Sequence, residues 1–343
     1  MKRNVGVSFL MVWLCILSAL CACARPEKSV IEPVEAPPLQ TLARPVIVDT
    51  DMGFDDVMAL LFLLARPDID IKAITVTPNG LAHGEMGVEN LKRLLFLAGR
   101  PDIPIGLGLS TEDRNLPEFP ETWRQEADSL LMDHLPPCTD SQPVHSALTL
   151  LKSVLEQVTR KTEWIALGPL QNVAEFVKTE PQLLPRLAMI TVMGGALHVP
   201  GNAPGQSAEW NFYLDPGSAN IVLQSNIPVT LVPLDATAQV PLSKPFFTQL
   251  SRNRNNGRRE LLYRLMAERY EAICEGEYDF WDALAAAGAL DWSLGTYRVM
   301  SLSVELVPDH RRGALHECEG NGNVRLMLGA NRQKFESIFL ETL

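Results

Sequence analysis

Cysteine is scarce in most of this chain. Three of the six cysteines fall within the first 24 of the 343 residues, and the others are far apart: Cys138, Cys274 and Cys318. At most one intrachain disulfide can form among these three, so the fold cannot depend on a disulfide framework. The composition therefore excludes the small disulfide-stabilised domains that many secreted proteins contain.

Positive charge is also limited, with 30 Lys and Arg against 41 Asp and Glu and a formal net charge of −11. Removing residues 1–22 takes away Lys2 and Arg3 and no acid, which gives −13. A chain of this charge is a poor binder of nucleic-acid phosphates or of anionic lipid. We therefore expect no nucleic acid among its partners and no membrane binding by charge.

The start of the chain has the pattern of an export signal. Lys2 and Arg3 precede an apolar run over residues 5–24, as in secretory signal peptides. The segment Leu20-Cys21-Ala22-Cys23 resembles the lipoprotein box of bacteria. This resemblance predicts a signal peptide at residues 1–22 and a lipid on Cys23.

Two other outcomes remain open for this segment. Ala22-Cys23-Ala24 is an A-x-A pattern, and cleavage after it would give a soluble exported protein. Uncleaved, the run is nearly long enough to span a bilayer. We expect the protein on the periplasmic or cell-surface side of a bacterial membrane, anchored by lipid at Cys23, with soluble secretion as the alternative.

A proline-rich segment separates the signal from the rest of the chain. Residues 23–44 show little apolar periodicity and contain four prolines, with Pro45 directly after them. Such a composition is typical of an extended tether. The remaining residues, 45–343, are enough for one large α/β domain or two smaller ones.

Four acids stand between two apolar segments near the start of this domain. Residues 46–48 predict a short buried strand and residues 57–64 a buried helix. The acids between them are Asp49, Asp51, Asp55 and Asp56. A strand, an acidic turn and a helix are how an open α/β sheet presents a site at the carboxyl end of a strand.

Carboxylates this close repel one another, and each pKa would rise unless a cation kept them ionised. An exposed acidic loop is the simpler interpretation, but the apolar flanks leave little room for a solvated loop. Oxygen-only ligands suit Ca²⁺ or Mg²⁺. The absence of a nearby His or Cys argues against zinc.

Further strands and helices alternate along the domain. The predicted strands are 69–77, 103–106, 164–167, 187–193 and 229–234, and predicted helices include 88–98 and 147–158. This alternation predicts an α/β fold with an open, mostly parallel, Rossmann-like sheet, helices on both faces, and a site at the carboxyl ends of the strands. Two last strands, 299–307 and 323–328, are expected as antiparallel additions, and residues 110–145, with Trp123, as an irregular loop.

These motifs together resemble the inosine–uridine preferring nucleoside hydrolases, from about Pro45 to the end of the chain. Asp49-Thr50-Asp51-Met52-Gly53-Phe54-Asp55-Asp56 is similar to the family's N-terminal signature, with Met52 where proline is usual. Met193-Gly194-Gly195, Asn202 and Ala208-Glu209-Trp210-Asn211 resemble its second signature, with one extra residue before Glu209.

The resemblance implies hydrolysis of the N-glycosidic bond of ribonucleosides to ribose and free base. It implies a Ca²⁺ ion held by Asp51, Asp56, Asp282 and the Leu167 carbonyl, with Asp51 as the general base for a calcium-bound water. It also implies a ribose site made of Asp55, Asn79, Asn202, Glu209 and Asn211. A nucleoside is then the expected partner, with membrane contact only through the N-terminal lipid and a homo-oligomer left open.

The leaving base is expected to lie against aromatic side chains. Some family members have a His where this chain has Trp281, and a Trp there is similar to the purine-preferring branch. Trp281 and Trp123 would then sandwich the base. Gly80 departs from that branch, which has an acid after the ribose Asn, and core packing of Trp281 is the competing interpretation.

Three other functions are compatible with parts of the sequence. Asp49-Thr50-Asp51 is an Asp-x-Asp after a strand, as in haloacid-dehalogenase-type phosphatases, but that family requires Thr or Val where Gly53 stands. The second is a non-catalytic nucleoside-binding lipoprotein. The third is a hydrolase of another N-riboside, such as nicotinamide riboside.

Overall fold

A ten-stranded sheet forms the centre of the protein, seen in a computed structural model that describes residues 30–40, 42–109, 116–138, 142–307, 310–320 and 322–343. Its strands are β1 (Arg44–Thr50), β2 (Ile69–Val76), β3 (Ile105–Leu107), β4 (Val144–Ser146), β5 (Thr162–Ala166), β6 (Leu187–Met193), β7 (Val229–Val232), β8 (Gly295–Val304), β9 (Leu315–Cys318) and β10 (Val324–Ala330).

Helices connect most of these strands. They are α1 (Phe54–Leu64), α2 (Gly84–Leu97), α3 (Glu121–Ser129), α4 (Ala147–Gln157), α5 (Gln171–Thr179), α6 (Trp210–Leu214), α7 (Pro216–Leu223), α8 (Leu234–Thr237), α9 (Lys244–Arg252), α10 (Gly257–Glu268), α11 (Tyr270–Glu275), α12 (Trp281–Leu290) and α13 (Arg332–Thr342). Short 3₁₀ helices cover Pro181–Arg186 and Trp292–Leu294.

The order of the strands places a crevice beside β1. Across the sheet the order is β4-β3-β2-β1-β5-β6-β7-β10-β8-β9. The chain runs outward from β1 to β4 and then returns to the other side of β1 with β5. Ligands of open α/β sheets bind at the carboxyl ends of the strands where such a reversal occurs. The residues that follow β1 and β5 therefore flank the expected site.

Helices cover both faces of the sheet, as the sequence predicts. Val46 and Val48 of β1 pack into one apolar core, which includes α1 and α12. Ile47, between them, packs into a second core with α5 and α7. Successive side chains of a strand point to opposite faces, so the unbroken apolar run of β1 reflects burial on both sides.

Two predictions about the elements are wrong. Residues 110–145 were expected to be irregular, but α3 lies within them, starting directly after Pro120. Proline breaks a helix in its interior and is tolerated next to its first turn, so the local proline content was a poor guide. The strand β10 was expected to be antiparallel, but it pairs with β7 in parallel and only with β8 antiparallel.

The described part of the predicted tether lies against the domain. Ile31 is buried in the core around α1, and the Val34 backbone N–H donates to the Leu97 carbonyl at 2.8 Å. The compact unit runs from Ile31 to Leu343. The predicted signal at residues 1–22 and Cys23 lie outside the described residues. Within the described segments, none of the helices has the length and apolar character needed to cross a membrane.

Candidate active site

The acidic turn after β1 is held together by hydrogen bonds to the carboxylate of Asp56. The Asp56 side chain accepts hydrogen bonds from the backbone N–H groups of Asp51 at 3.0 Å and Gly53 at 2.9 Å. The Thr50 hydroxyl donates to the same carboxylate. Between them Met52 has a φ of 59°, in the left-handed region that side chains other than glycine rarely adopt. Asp56 therefore fixes the turn at the N-terminus of α1, where a negative charge is favoured.

Asp51 is held in place by the loop after β2. One of its carboxylate oxygens accepts a hydrogen bond from the Leu81 N–H at 3.0 Å, and its backbone carbonyl accepts one from Ala82 at 3.0 Å. Two glycines make this close approach possible, because a Cβ on Gly80 would overlap that of Asp51 and one on Gly168 would lie 2.7 Å from it. Asp51 is 5% exposed.

Three carboxylates converge beside Asp51. Oxygen atoms of Asp55, Asp56 and Asp282 lie within 4.8 Å of one another. Burial raises the pKa of Asp282 well above its usual value, and the neighbouring carboxylates raise it further. Burial and the charge of Asp56 raise the pKa of Asp55 to about 7, and the same two causes raise the pKa of Asp51.

This cluster fits a hard divalent cation. One buried oxygen of Asp282 has no hydrogen-bond partner among the described residues, and the side chain does not cap α12, whose N-cap is Phe280. Asp282 is therefore buried next to other carboxylates, and its side chain accepts no capping hydrogen bond from the backbone of α12. No His or Cys is among the described residues that line the site, so the donors are oxygens, which suit Ca²⁺ or Mg²⁺ better than zinc.

Leu167 and Asn211 meet at the carboxyl ends of β5 and β6. The Asn211 side-chain amide donates to the Leu167 carbonyl at 2.9 Å and to the Met193 carbonyl at 3.3 Å. Both Leu167 and Asn211 line the same cavity as the acids. Asn211 thus fixes the carbonyl that the sequence resemblance assigns to the cation.

Glu209 is a buried helix cap as well as a cavity residue. Its carboxylate accepts hydrogen bonds from the backbone N–H groups of Gly195 at 2.9 Å, Asn211 at 2.7 Å and Phe212 at 3.2 Å. Burial raises its pKa to about 7, against the opposing effect of these donors. A carboxylate has about four acceptor positions, so one remains for a ligand hydroxyl.

The two predicted ribose asparagines differ in placement. Asn202 is exposed, lines the cavity and accepts a hydrogen bond from the Trp210 N–H at 3.1 Å. Asn79 is 4% exposed and is not among the residues that line the cavity. Its buried amide nitrogen has no partner among the described residues, so it retains a free donor next to Gly80.

The acids lie in a cavity of about 370 Å³. Its aromatic lining consists of Phe54, Phe119, Trp123, Trp210, Tyr278 and Trp281. The Trp123 and Trp210 ring centroids are 5.6 Å apart, and those of Tyr278 and Trp281 are 6.1 Å apart. The predicted pair Trp123 and Trp281 therefore belongs to two aromatic groups in one pocket.

Several residues of the site were missed by the sequence reasoning. Trp210 lies between Glu209 and Asn211 in the sequence. Its position between two predicted ribose-binding residues could have identified it as a residue of the site. Glu126 and Arg269 also line the cavity, but nothing in their local sequence indicates it. Asp49, given no role beyond the acidic motif, is fully buried, and burial raises its pKa to about 7 although Asn172 donates to it at 2.8 Å.

Known proteins resemble this chain in sequence and in structure. The pyrimidine-specific ribonucleoside hydrolase RihA of Photobacterium profundum is 35% identical over 197 residues, which cover 57% of this chain and 62% of that protein. The match therefore spans less than two thirds of this curated relative.

The structural matches extend over more of the chain. A plant nucleoside hydrolase superposes with a TM-score of 0.77 at 27% identity, covering 89% of this chain and 99% of that one. An inosine-guanosine nucleoside hydrolase superposes with a TM-score of 0.75 at 25% identity, covering 87% and 98%.

A protein-family model matches most of the chain. The sequence model of the family described as inosine-uridine preferring nucleoside hydrolase matches residues 46–337. This range contains every residue of the site described above. The chain therefore belongs to the inosine-uridine preferring nucleoside hydrolase family.

Proposed function

We propose that this protein hydrolyses the N-glycosidic bond of ribonucleosides to ribose and free base, with Ca²⁺ as its metal ion. The observation that carries the proposal is the buried cluster of carboxylates at the base of an aromatic cavity, at the crevice between β1 and β5. Such charges are costly to bury unless a cation compensates them.

The ion would be held by Asp51, Asp56, Asp282 and the Leu167 carbonyl. When bound, it would lower the pKa of a water molecule and keep the surrounding carboxylates ionised. These residues come from separate parts of the chain and line one cavity.

Asp51 is the proposed general base. It would accept one proton from the attacking water while the water oxygen bonds to the anomeric carbon and the electron pair of the C–N bond leaves with the base. The hydrogen bond from Leu81 fixes one carboxylate oxygen, which leaves the other to receive the proton. General-base catalysis contributes about 10²–10⁴-fold.

The ribose would be held by Asp55, Asn79, Asn202, Glu209 and Asn211. These side chains supply both donors and acceptors, as vicinal hydroxyls require. The base would lie against Trp281 and Trp123 in the aromatic part of the cavity. The similar proteins are named for pyrimidine nucleosides in one case and for inosine and guanosine in another. We propose that this part of the cavity sets the preferred base in this protein.

The first test is a direct assay of the chain from Ala24 onward, which keeps the segment that packs on the domain. The protein would be incubated with inosine, adenosine, uridine, cytidine or nicotinamide riboside, with and without EDTA, and both free ribose and nucleoside binding would be measured. Release that EDTA abolishes and Ca²⁺ restores supports the proposal. Tight nucleoside binding without ribose release would favour the non-catalytic lipoprotein, and release from nicotinamide riboside alone would favour the other N-riboside.

We further propose that the protein is exported and held at a bacterial membrane by a lipid on Cys23. The lipoprotein box at residues 20–23 supports this location. Expression of the full chain and of Cys23→Ser, followed by mass spectrometry and membrane fractionation, tests it. An unmodified N-terminus at Arg25 would instead support soluble secretion.

A further inference from the structure

The aromatic part of the cavity contains one basic side chain. Arg269 is the only Lys or Arg among the described residues that line it. It lies between α10 and α11, where its guanidinium donates to the Leu265 carbonyl at 3.2 Å. Its guanidinium carbon is 4.8 Å from the centroid of the Phe54 ring, and Phe54 directly precedes Asp55. Arg269 is thus fixed against Phe54, and it has donors beyond those that bond Leu265 and Tyr278, since a guanidinium carries five N–H groups.

An acid from another element faces the same region. Glu126 of α3 lines the cavity, and its segment is anchored because the Asn90 amide donates to the Ala127 carbonyl at 2.8 Å. Tyr278 lies close to both charges. Burial raises the pKa of Tyr278, Arg269 acts in the opposite direction and Glu126 raises it further. Arg269, Glu126 and Tyr278 thus line the same cavity.

We propose that Arg269 and Glu126 together recognise the O=C–N–H edge of the base. Arg269 would donate to the carbonyl oxygen, and Glu126 would accept from the adjacent N–H. Uracil, hypoxanthine and guanine present this edge. This inference rests on the proposed hydrolysis of nucleosides and adds the residues that select the base.

Cytosine and adenine present the reverse pattern at the same atoms. An amino group replaces the carbonyl and an unprotonated ring nitrogen replaces the N–H. Arg269 would then face a donor and Glu126 an acceptor, which leaves both charged groups unpaired. Hydrogen bonds to charged groups at a partly exposed site are worth about 10- to 100-fold in an equilibrium or rate ratio.

The same arrangement would assist departure of the base. When the C–N bond breaks, its electron pair goes to the base nitrogen and the negative charge spreads to the carbonyl oxygen. Arg269 would stabilise that oxygen until the base takes a proton from solvent. Its contribution is then larger in the transition state than in the bound substrate, so its loss lowers kcat.

The experiment compares kcat/KM for two pairs of substrates that differ only at this edge: uridine with cytidine, and inosine with adenosine. We expect the wild-type protein to prefer the first member of each pair by about 10- to 100-fold. Arg269→Met keeps the stem that packs on Phe54 and removes the charge, and it should reduce both ratios to within about threefold and lower kcat for uridine and inosine. Glu126→Gln offers a donor to the unprotonated ring nitrogen of cytosine and adenine. It should raise kcat/KM for cytidine relative to uridine and for adenosine relative to inosine.

A matched control separates this role from a structural one. Arg298→Met removes a guanidinium from β8 that pairs with Glu317 outside the cavity, and both ratios should stay unchanged. Melting temperatures of all variants show whether they are folded, and Arg269→Lys provides a second, milder change. Equal loss on all four substrates in Arg269→Met would mean that Arg269 only supports Phe54, and would overturn the inference.

The outcomes also separate this inference from the proposed function. Ribose release from none of the four nucleosides would contradict the hydrolase itself. Ribose release without a preference within either pair would leave the hydrolase intact and refute the recognition of the base edge.

Discussion

Gly80 lies against Asp51 with no space for a side chain between them. A Cβ added to Gly80 would overlap that of Asp51, and the next residue, Leu81, donates the hydrogen bond that orients the Asp51 carboxylate. The glycine and the proposed base are therefore one structural unit. An acid at position 80, which the resemblance to the purine-preferring branch implies, has no room in this protein.

Replacing Gly80 with Ala tests this relationship. We expect the added methyl to displace Asp51, which would lower kcat by about 10²-fold or more, because small misplacements of a catalytic group are costly. Gly217→Ala is the matched control, since a Cβ there has its nearest neighbour at 3.5 Å, and its activity should equal that of the wild type. Full activity in Gly80→Ala would show that the close approach is not needed.

Asp51→Asn tests the general base. The amide oxygen of Asn can still accept the hydrogen bond from Leu81, so the loop should keep its conformation. The loss of the general base should lower kcat by about 10²–10⁴-fold. Asp102→Asn, at an exposed position, serves as the control. Calcium binding measured by calorimetry should survive in part. An Asp51→Asn protein with normal turnover would refute the assignment.

Trp281→Ala tests whether the base stacks on this ring. Stacking is worth about 0.5–1.5 kcal/mol, so we expect kcat/KM for inosine to fall by about 2- to 12-fold, and that for uridine, whose base is smaller, to fall by less. Trp292→Ala changes a half-exposed Trp outside the cavity and should affect neither substrate. An equal loss on both nucleosides would instead indicate that Trp281 packs the start of α12.

We expect the stability of the protein without the proposed cation to depend on pH. Burial raises the pKa values of Asp49, Asp55 and Glu209 from 3.8, 3.8 and 4.5 to about 7. Without a cation the folded state thus binds more protons than the unfolded state between these values, and the free energy of unfolding falls as the pH rises through this window.

Melting temperatures from about pH 5 to about pH 8, with EDTA or with Ca²⁺, measure this effect. In EDTA the melting temperature should decrease across the range, and the stabilisation by Ca²⁺ should grow with pH, because the ion binds ionised carboxylates. A stabilisation by Ca²⁺ that is the same at every pH would contradict this interpretation of the cluster.

The local part of the site could be predicted from the sequence because one strand, one turn and one helix carry it. The acids from Asp49 to Asp56 directly follow a buried apolar run. That pattern predicts that they are buried and that they lie at the carboxyl end of a strand. Asp282 and Leu167 are more than a hundred residues away, and only the resemblance to a family placed them near Asp51.

Other features depended on tertiary contacts that carry no local signal. Glu126 and Arg269 lie in polar segments, and they line the cavity because α3 is anchored by Asn90 and α10 ends beside Phe54. Ile31 was assigned to a tether because its neighbours are proline-rich. Its burial comes from the core around α1, which a count of prolines does not describe.

The backbone at Met52 limits how this protein can be engineered. Consensus substitutions stabilise many proteins, and the family pattern would suggest proline at this position. The ring of proline holds φ near −65°, whereas Met52 has a φ of 59°, so a consensus variant would have to rebuild the turn that carries Asp51 and Asp56. In this protein the residue most common in the family is therefore a poor choice at position 52, next to Asp51.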